Sequence, residues 1–365
     1  FFVAKLPKFR HLCYNQIRRI FFMDCHLLSH GISVEKDSLH DCCLVRTSEY
    51  CGSPFIIKLN DDKTVDWNEV FELKKSLKEK KKNDPKACKG CRALTDEKDY
   101  NDGDYISYIN LNHWNICNSR CIYCSDGYFG GDKYFNVYPL MKSLADKGYI
   151  NNCGEVTFQG GEPTVLPEFE ELLTLFLEQK INIRVHSSGI KYSKALDDGI
   201  KDGLVTVVIS PDTGIKETYE KIKRVPCFEK VWANIETYAK NRKNPENVKA
   251  KFIITPGVND SIEEIDKFIK KALSVGLTNI IWEVEGRYAG LCNYDTPHVC
   301  MLIDYALDAA KKAGLNDEFY DGAMYCMKNR TLPKQEFSTK TELKKAYKLL
   351  KKKYKDKNPD YISFS

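Results

Sequence analysis

No stretch of about 18 or more uncharged apolar residues occurs in this 365-residue chain, so no helical membrane span is readable in it. Nor does the opening segment carry the unbroken apolar core of a secretory signal. Residues 1–24 are basic and aromatic, with Lys5, Lys8, Arg10, Arg18 and Arg19 set among Phe and Leu. That pattern reads as an amphipathic surface helix, with weak peripheral membrane contact as its alternative. The chain opens on Phe1 and not on Met, which points to a trimmed start. Strong charge bias is absent too: 56 Lys and Arg face 51 Asp and Glu, a net +5. The excess lies in Lys-rich stretches at 74–82 and 344–357, read as solvated helix faces, so no nucleic acid is expected as a partner. No internal repeat is visible. A hydrophobic content of 42% excludes a disordered chain.

The fifteen cysteines suit a disulfide scaffold only in a short secreted chain, and this one is long enough for a full core. Clustered cysteines in a chain expected to be cytoplasmic point to metal.

Between Tyr105 and Glu285, short β-rich runs alternate with amphipathic helices, the signature of βα units and a parallel sheet. The predicted strands are 105–111, 155–158, 182–186, 204–209, 251–254 and 279–283. Helices are predicted over 167–178, 193–202, 228–241 and 261–275, where apolar residues recur at helical spacing. Six units predict an α/β fold, a partial (β/α)6 TIM-like barrel. The domain reading is the basic segment 1–24, a cysteine-rich auxiliary metal module at 25–100, the core at 101–290 and a C-terminal helical extension at 291–365.

Directly after the first predicted strand, Cys117, Cys121 and Cys124 fall in one loop at spacings of four and three. Three thiolates there can wrap an iron-sulfur cluster and leave its fourth iron without a protein ligand, which makes that iron a place for chemistry. A zinc site is the first alternative, but zinc normally closes with four ligands, and His113 sits on the wrong side of a short loop to be the fourth. A ferredoxin-like carrier would also want a fourth cysteine.

The Cys-x3-Cys-x2-Cys arrangement with Tyr123 inside it resembles the defining motif of the radical S-adenosylmethionine superfamily. A second match is Gln159-Gly160-Gly161-Glu162-Pro163-Thr164 at the end of the second strand, similar to that superfamily's Gly-Gly-Glu-Pro element. Its glycines let a ligand approach the backbone, and Glu162 offers an acceptor to an ammonium group; alternatively the turn merely caps the strand. The resemblance implies a [4Fe-4S] cluster on Cys117, Cys121 and Cys124 that binds S-adenosylmethionine and cleaves it to a 5′-deoxyadenosyl radical. It also implies cofactor contacts from Tyr123, Gly160, Gly161, Glu162 and Pro163, from Ser187 and Ser188 after the third strand, and from Ser210, Asp212 and Arg224 after the fourth. Asp212 has the alternative of capping the helix that begins near Ile215, and Arg224 that of a surface residue.

Upstream, Cys88-Lys89-Gly90-Cys91 has metal-ligand spacing. With Cys25 and Cys42, and with Cys43 or Cys51 as substitutes, it resembles the auxiliary cluster modules of the same superfamily, termed SPASM or twitch, although those usually follow the barrel. A second [4Fe-4S] cluster is the expectation, and a structural zinc is its alternative. Glu283, Glu285 and Arg287 after the sixth strand either orient a polar substrate or form ion pairs at the rim. The expected partners are a low-potential electron donor, flavodoxin or ferredoxin, and a peptide or a carbohydrate or other small polar substrate. The competing classes are an electron carrier without turnover and a zinc-stabilised binding protein.

Overall fold

The computed structural model describes residues 26–36, 38–40, 56–82, 103–124, 131, 135–285 and 296–320. The chain divides into two compact units, one of residues 1–117 and 130–185, the other of 118–129 and 186–365.

The first unit begins with α1 (His26–His30) and strands β1 (Gly31–Val34), β2 (Ser38–His40) and β3 (Ile56–Lys58). Then come α2 (Trp67–Lys82), β4 (Tyr108–Leu111), α3 (Tyr138–Asp146), β5 (Glu155–Phe158), α4 (Phe169–Glu178) and β6 (Asn182–Ser187). The strands run in the order β6-β5-β4-β1-β2-β3. They are parallel from β6 to β1, with Ile109 opposite both Ile32 and Val156, and antiparallel at β2 and β3. Apolar runs such as Glu155-Val-Thr-Phe158, buried from its second residue on, are what a parallel sheet covered on both faces demands.

Ahead of residue 105 the sequence shows only a strand-like run between Cys25 and Cys42, and pairing sets β1 of that run beside β4. The four-residue run Gly-Ile-Ser-Val is too short to show a period of two. On α2, Trp67, Val70, Phe71 and Lys74 share one buried face. Lys74 stays there because its ammonium donates to the carbonyls of Leu28 (3.0 Å) and Gly31 (2.5 Å), groups left without intrahelical partners where α1 ends.

The second unit holds α5 (Lys194–Asp202), β7 (Val205–Ile209), α6 (Lys216–Lys223), α7 (Phe228–Asn241), β8 (Val248–Ile254), α8 (Ile262–Ser274), β9 (Asn279–Val284), α9 (Thr296–Lys312) and β10 (Asn316–Tyr320). Its strands run β10-β9-β8-β7, all parallel. Ser193 and Ser261 start α5 and α8 by accepting from Leu196 N and Glu264 N, and Gly203 ends α5 in the left-handed conformation. Each such cap is worth about 1 kcal/mol. Phe252, Phe268, Trp232 and Trp282 pack edge to face or tilted with centroids 5.1–6.0 Å apart, tying α7 and α8 to the strands.

The chain is therefore mixed α/β, built of open parallel strand sets with βα connections. Strand β8 starts three residues before its predicted Lys251 because Lys249 and Lys251 interrupt the apolar pattern. Both lysines are accommodated by cross-strand ion pairs, to Glu318 at 3.1 Å and to Glu283 at 2.8 Å.

Candidate functional site

In the first unit, the carboxyl end of β4 runs directly into Asn112, His113 and Trp114, all buried. Asn112 donates to both carboxylate oxygens of Glu35. His113 is fully buried against Trp114 and Phe135 and lies 3.6 Å from Glu168, beyond hydrogen-bond reach. Burial pushes its imidazole below the ordinary value, and the Glu168 and Glu35 carboxylates only partly offset that. A neutral ring enclosed by aromatic side chains belongs to the core.

The Gly-Gly-Glu-Pro turn leans on this same segment. Glu162 N donates to Ile116 O at 2.8 Å. A β-carbon on Gly161 would stand 2.0 Å from Ile116 O, and one on Gly160, whose φ is +101°, would stand 2.9 Å from Trp114 O. The absent side chains thus admit the backbone of the cysteine loop itself, an approach that the sequence assigns to a ligand. Glu162 is buried, and its Oε1 accepts from Thr164 N (3.2 Å) and Thr164 Oγ1 (2.6 Å), capping the short 3-10 helix Pro163–Val165.

In the second unit, residues 118–124 are stitched to the last turn of α6. Arg120 N donates to Lys223 O at 3.0 Å and Ile122 N to Ile222 O at 2.9 Å, one bond on each side of Cys121. Asn118 accepts from Ser188 Oγ at 2.9 Å, and Ser119 Oγ lies 3.4 Å from Cys121 Sγ. Cys124 N closes a turn onto Cys121 O.

Behind this turn lies a buried polar knot. Lys223 Nζ donates to Asp212 Oδ2 and to Tyr123 Oη, each at 2.5 Å, and Tyr123 Oη donates to Asp212 Oδ2 at 2.5 Å. The Cys121 thiol adds to the electrostatics of both Lys223 and Tyr123. Burial alone would pull the Lys223 ammonium down, but Asp212 and Cys121 outweigh it and hold it above its ordinary value. Burial, Asp212 and Cys121 together push the Tyr123 phenol well up, so it stays protonated as a donor.

Asp212 does not cap the helix. The N-cap of α6 is Ile215, whose N–H is taken by Thr213 Oγ1. Asp212 instead holds a left-handed φ of +61°, strained for a residue with a side chain. It is kept there by Ile253 N on its Oδ1 (3.2 Å) and Asn259 Nδ2 on its carbonyl (2.8 Å).

Of the other candidates, Ser187 Oγ accepts from Gly189 N, and Ser210 N donates to Ser187 O. Arg224 is the exposed, left-handed end of α6. Glu283 is paired with Lys251, and Glu285 is buried beyond β9. Arg287 and the upstream Cys25, Cys42, Cys43, Cys51, Cys88 and Cys91 lie outside the described residues, as do segments 1–24 and 321–365. Lys223, Asn118, Ser119 and Asn259 were not singled out in the sequence. A signal for Lys223 exists: Tyr219, Ile222 and Lys223 sit at i, i+3 and i+4, which puts the lysine on the apolar side of α6.

Cys117, Cys121 and Cys124 are partly buried thiols outside any disulfide. Among the described residues no three His, Cys, Asp or Glu side chains are already gathered into a metal set. Thiols repel when ionised and converge only around the irons they hold, so their donor chemistry is the better test. One loop of three thiols outside any disulfide, with the Ser119 hydroxyl 3.4 Å from the middle one, has the donor chemistry of a thiolate-bound iron-sulfur cluster.

Parallel α/β strands whose β4 feeds such a loop have the donor set of an iron-sulfur protein. Residues 111–270 match the Radical SAM superfamily, and the chain carries a radical SAM domain, whose family uses a [4Fe-4S] cluster and S-adenosylmethionine. It is 28% identical over 200 residues to a GTP 3′,8-cyclase of Clostridium botulinum strain Okra, covering 51% of this chain and 60% of that protein. To a probable dual-specificity RNA methyltransferase RlmN of Streptococcus pneumoniae serotype 4 it is 24% identical over 228 residues, covering 55% and 60%. Among solved structures, Streptococcus suis SuiB bound to the precursor peptide SuiA aligns at 14% identity and TM-score 0.49, over 79% of this chain and 72% of that one. The chain spans 60% of the length of the C. botulinum relative.

These relatives overturn the expectation that nucleic acid plays no part, since one is an RNA methyltransferase and another acts on a nucleotide. Net charge misleads here for a physical reason. It reports diffuse attraction to phosphate backbones, whereas a nucleotide held in a site is recognised by a few local contacts.

Proposed function

We propose that this protein is a radical SAM enzyme acting on a nucleotide-type substrate, with hydrogen taken from a sugar carbon. Cys117, Cys121 and Cys124 are the cluster ligands in this reading. Once bound, the cluster supplies the electron that splits the sulfonium of S-adenosylmethionine, yielding methionine and a carbon radical that abstracts hydrogen. The chain's own residues do the positioning. Gly160 and Gly161 let the Gly-Gly-Glu-Pro turn lie on the cysteine loop, and Glu162 faces the methionyl ammonium. Ser187, Ser188 and Ser210, at strand ends, serve the ribose, where parallel α/β enzymes collect their functional groups.

The observation that carries the class is the pairing of the three-thiol loop with the Gly-Gly-Glu-Pro turn across one hydrogen bond, Glu162 N to Ile116 O. The substrate class is supported by the GTP 3′,8-cyclase and RlmN relatives, and a nucleotide sugar fits the carbohydrate or small polar class that the sequence suggests. In the same reading the upstream cysteines hold an auxiliary cluster.

The test uses protein reconstituted anaerobically with iron and sulfide, then reduced with dithionite in the presence of S-adenosylmethionine. Wild type is expected to form 5′-deoxyadenosine and to carry deuterium into it from a sugar-deuterated nucleotide. The Cys117→Ala/Cys121→Ala/Cys124→Ala variant should do neither. Stoichiometric zinc with no iron would overturn the class. Cleavage of S-adenosylmethionine with no deuterium transfer from any nucleotide or RNA offered would overturn the substrate.

A further inference from the structure

The strands of the first unit have two unlike faces. Side chains alternate along β4, so Ile109 and Leu111 share one face while Asn110 and Asn112 share the other. Phe158, in register with Leu111, packs edge to face on Phe169 and Phe176 of α4, so the apolar face is the one under the helix. The polar face continues onto β1, where Ser33 is in register with Asn110, and past its end to Glu35. One chain of hydrogen bonds joins four side chains there. Asn110 Nδ2 donates to Ser33 Oγ (2.8 Å), Ser33 Oγ donates to Glu35 Oε1 (3.1 Å), and Asn112 Nδ2 donates to both oxygens of Glu35 (3.2 and 3.0 Å). Asn110 Oδ1 is enclosed by the protein and accepts from no donor among the described residues.

A buried acceptor left without a donor is costly, and a bound molecule that brings the donor explains its being kept. Glu35 beside it is half-buried, and two neutral donors aim its carboxylate at the carboxyl end of β1. Functional groups of parallel α/β enzymes gather at such strand ends. The Gly-Gly-Glu-Pro turn is close by, since a β-carbon on Gly160 would stand 2.9 Å from Asn112 Oδ1. Ser33, Glu35 and Asn110 all precede residue 111, where the Radical SAM match begins, so they stand outside the part of the chain that carries the cofactor chemistry. A carboxylate and an amide carbonyl only accept, so this face suits a ligand edge made of donors and repels a phosphate. Among the common bases, guanine alone presents two neighbouring donors on one edge, N1–H and the 2-amino group. Adenine and cytosine set an acceptor beside their amino group, and that acceptor would face the carboxylate.

We propose that Glu35, backed by Asn110, is a specificity-determining residue that takes the N1–H and 2-amino edge of a guanine base. The inference rests on the nucleotide reading of the substrate and adds to it which base is recognised and by which residues. The test measures binding of GTP, ITP and ATP to the anaerobically reconstituted full chain by equilibrium dialysis, with saturating S-adenosylmethionine and no reductant. Wild type is expected to hold GTP about tenfold or more tighter than ATP, with ITP, which lacks the 2-amino group, between them. Glu35→Gln keeps the size and one acceptor of the side chain but turns the other oxygen into a donor. Its GTP affinity should fall about ten- to a hundredfold while its ATP affinity does not, which a merely structural role would not produce.

Equal affinity of wild type for GTP and ATP would overturn the inference. So would a preference for GTP that survives in folded, iron-replete Glu35→Gln. The wild-type series needs no variant, so the inference stays open to failure even where Glu35→Gln does not fold. Wild-type protein that binds none of the three nucleotides would overturn the nucleotide reading and this inference with it, whereas binding without base preference overturns the inference alone.

Discussion

At the scale of single residues, Glu162 has one task in the structure and a second in the proposed function. Its Oε1 caps the 163–165 turn through Thr164, as a purely structural residue would. A charge-assisted hydrogen bond to a methionyl ammonium is worth about 1.5–3 kcal/mol, or roughly ten- to a hundredfold in affinity. Glu162→Gln retains an acceptor for Thr164, so the reconstituted variant is expected to keep its cluster absorption and to bind S-adenosylmethionine that much more weakly by calorimetry. Affinity equal to wild type would leave Glu162 with the turn alone.

His113 makes a different claim at the same scale. Its imidazole is held below its ordinary value by burial, so the fold prefers it neutral. A depressed folded-state value means that its contribution is complete above the unfolded value of about 6.5 and is lost as pH falls below it, at up to about 1.4 kcal/mol per pH unit. Thermal unfolding should therefore weaken from pH 7.5 to pH 5.5, and His113→Gln should flatten that dependence. Equal slopes in the two proteins would show that other groups carry it.

Among elements, the glycine turn is the most constrained. Gly161→Ala would force a β-carbon to within 2.0 Å of Ile116 O, a backbone atom that cannot rotate away. Overpacking of this kind costs about 1–3 kcal/mol, so a melting point lower by several degrees is expected together with poor iron retention. Gly154→Ala is the matching control: like Gly161 it has no left-handed backbone to strain, but its β-carbon would meet only Ser107 O at 3.7 Å, an ordinary contact. If both variants lose iron equally, the close approach is not what matters. Helix α6 carries the other lesson at this scale. Its charged sequence, Lys-Glu-Thr-Tyr-Glu-Lys-Ile-Lys, looks solvated all round, yet Tyr219, Ile222 and Lys223 turn inward. Only a lysine whose charge is met inside can take such a place.

For the whole molecule, the open question is how much iron one chain holds. The three-thiol loop accounts for about four irons, and an auxiliary site on the upstream cysteines would bring the total to about eight. Anaerobic reconstitution followed by iron and sulfide analysis should give about eight in wild type and about four in Cys88→Ala/Cys91→Ala. Cleavage of S-adenosylmethionine should be largely retained in that variant. About four irons in both proteins would remove the auxiliary cluster.

Much of the architecture was legible beforehand because its signals are local. The runs at 155–158 and 228–241 coincide with β5 and α7, since an unbroken apolar run and a clean helical stripe each need no partner to be recognised. The spacing of Cys117, Cys121 and Cys124 and the Gly-Gly-Glu-Pro turn carried the family resemblance that implies the cofactor chemistry, because ligand type and spacing are properties of the chain. The tertiary structure decided what sequence spacing does not encode. It brought β1 beside β4, seventy-seven residues away, because the partner of a short strand-like run is set by packing and not by the run itself. It also assigned the two glycines to the backbone of the cysteine loop. Most of all, it buried Lys223 on Asp212 and Tyr123 and left the neighbouring Arg224 in water, since burial is fixed by what a helix packs against.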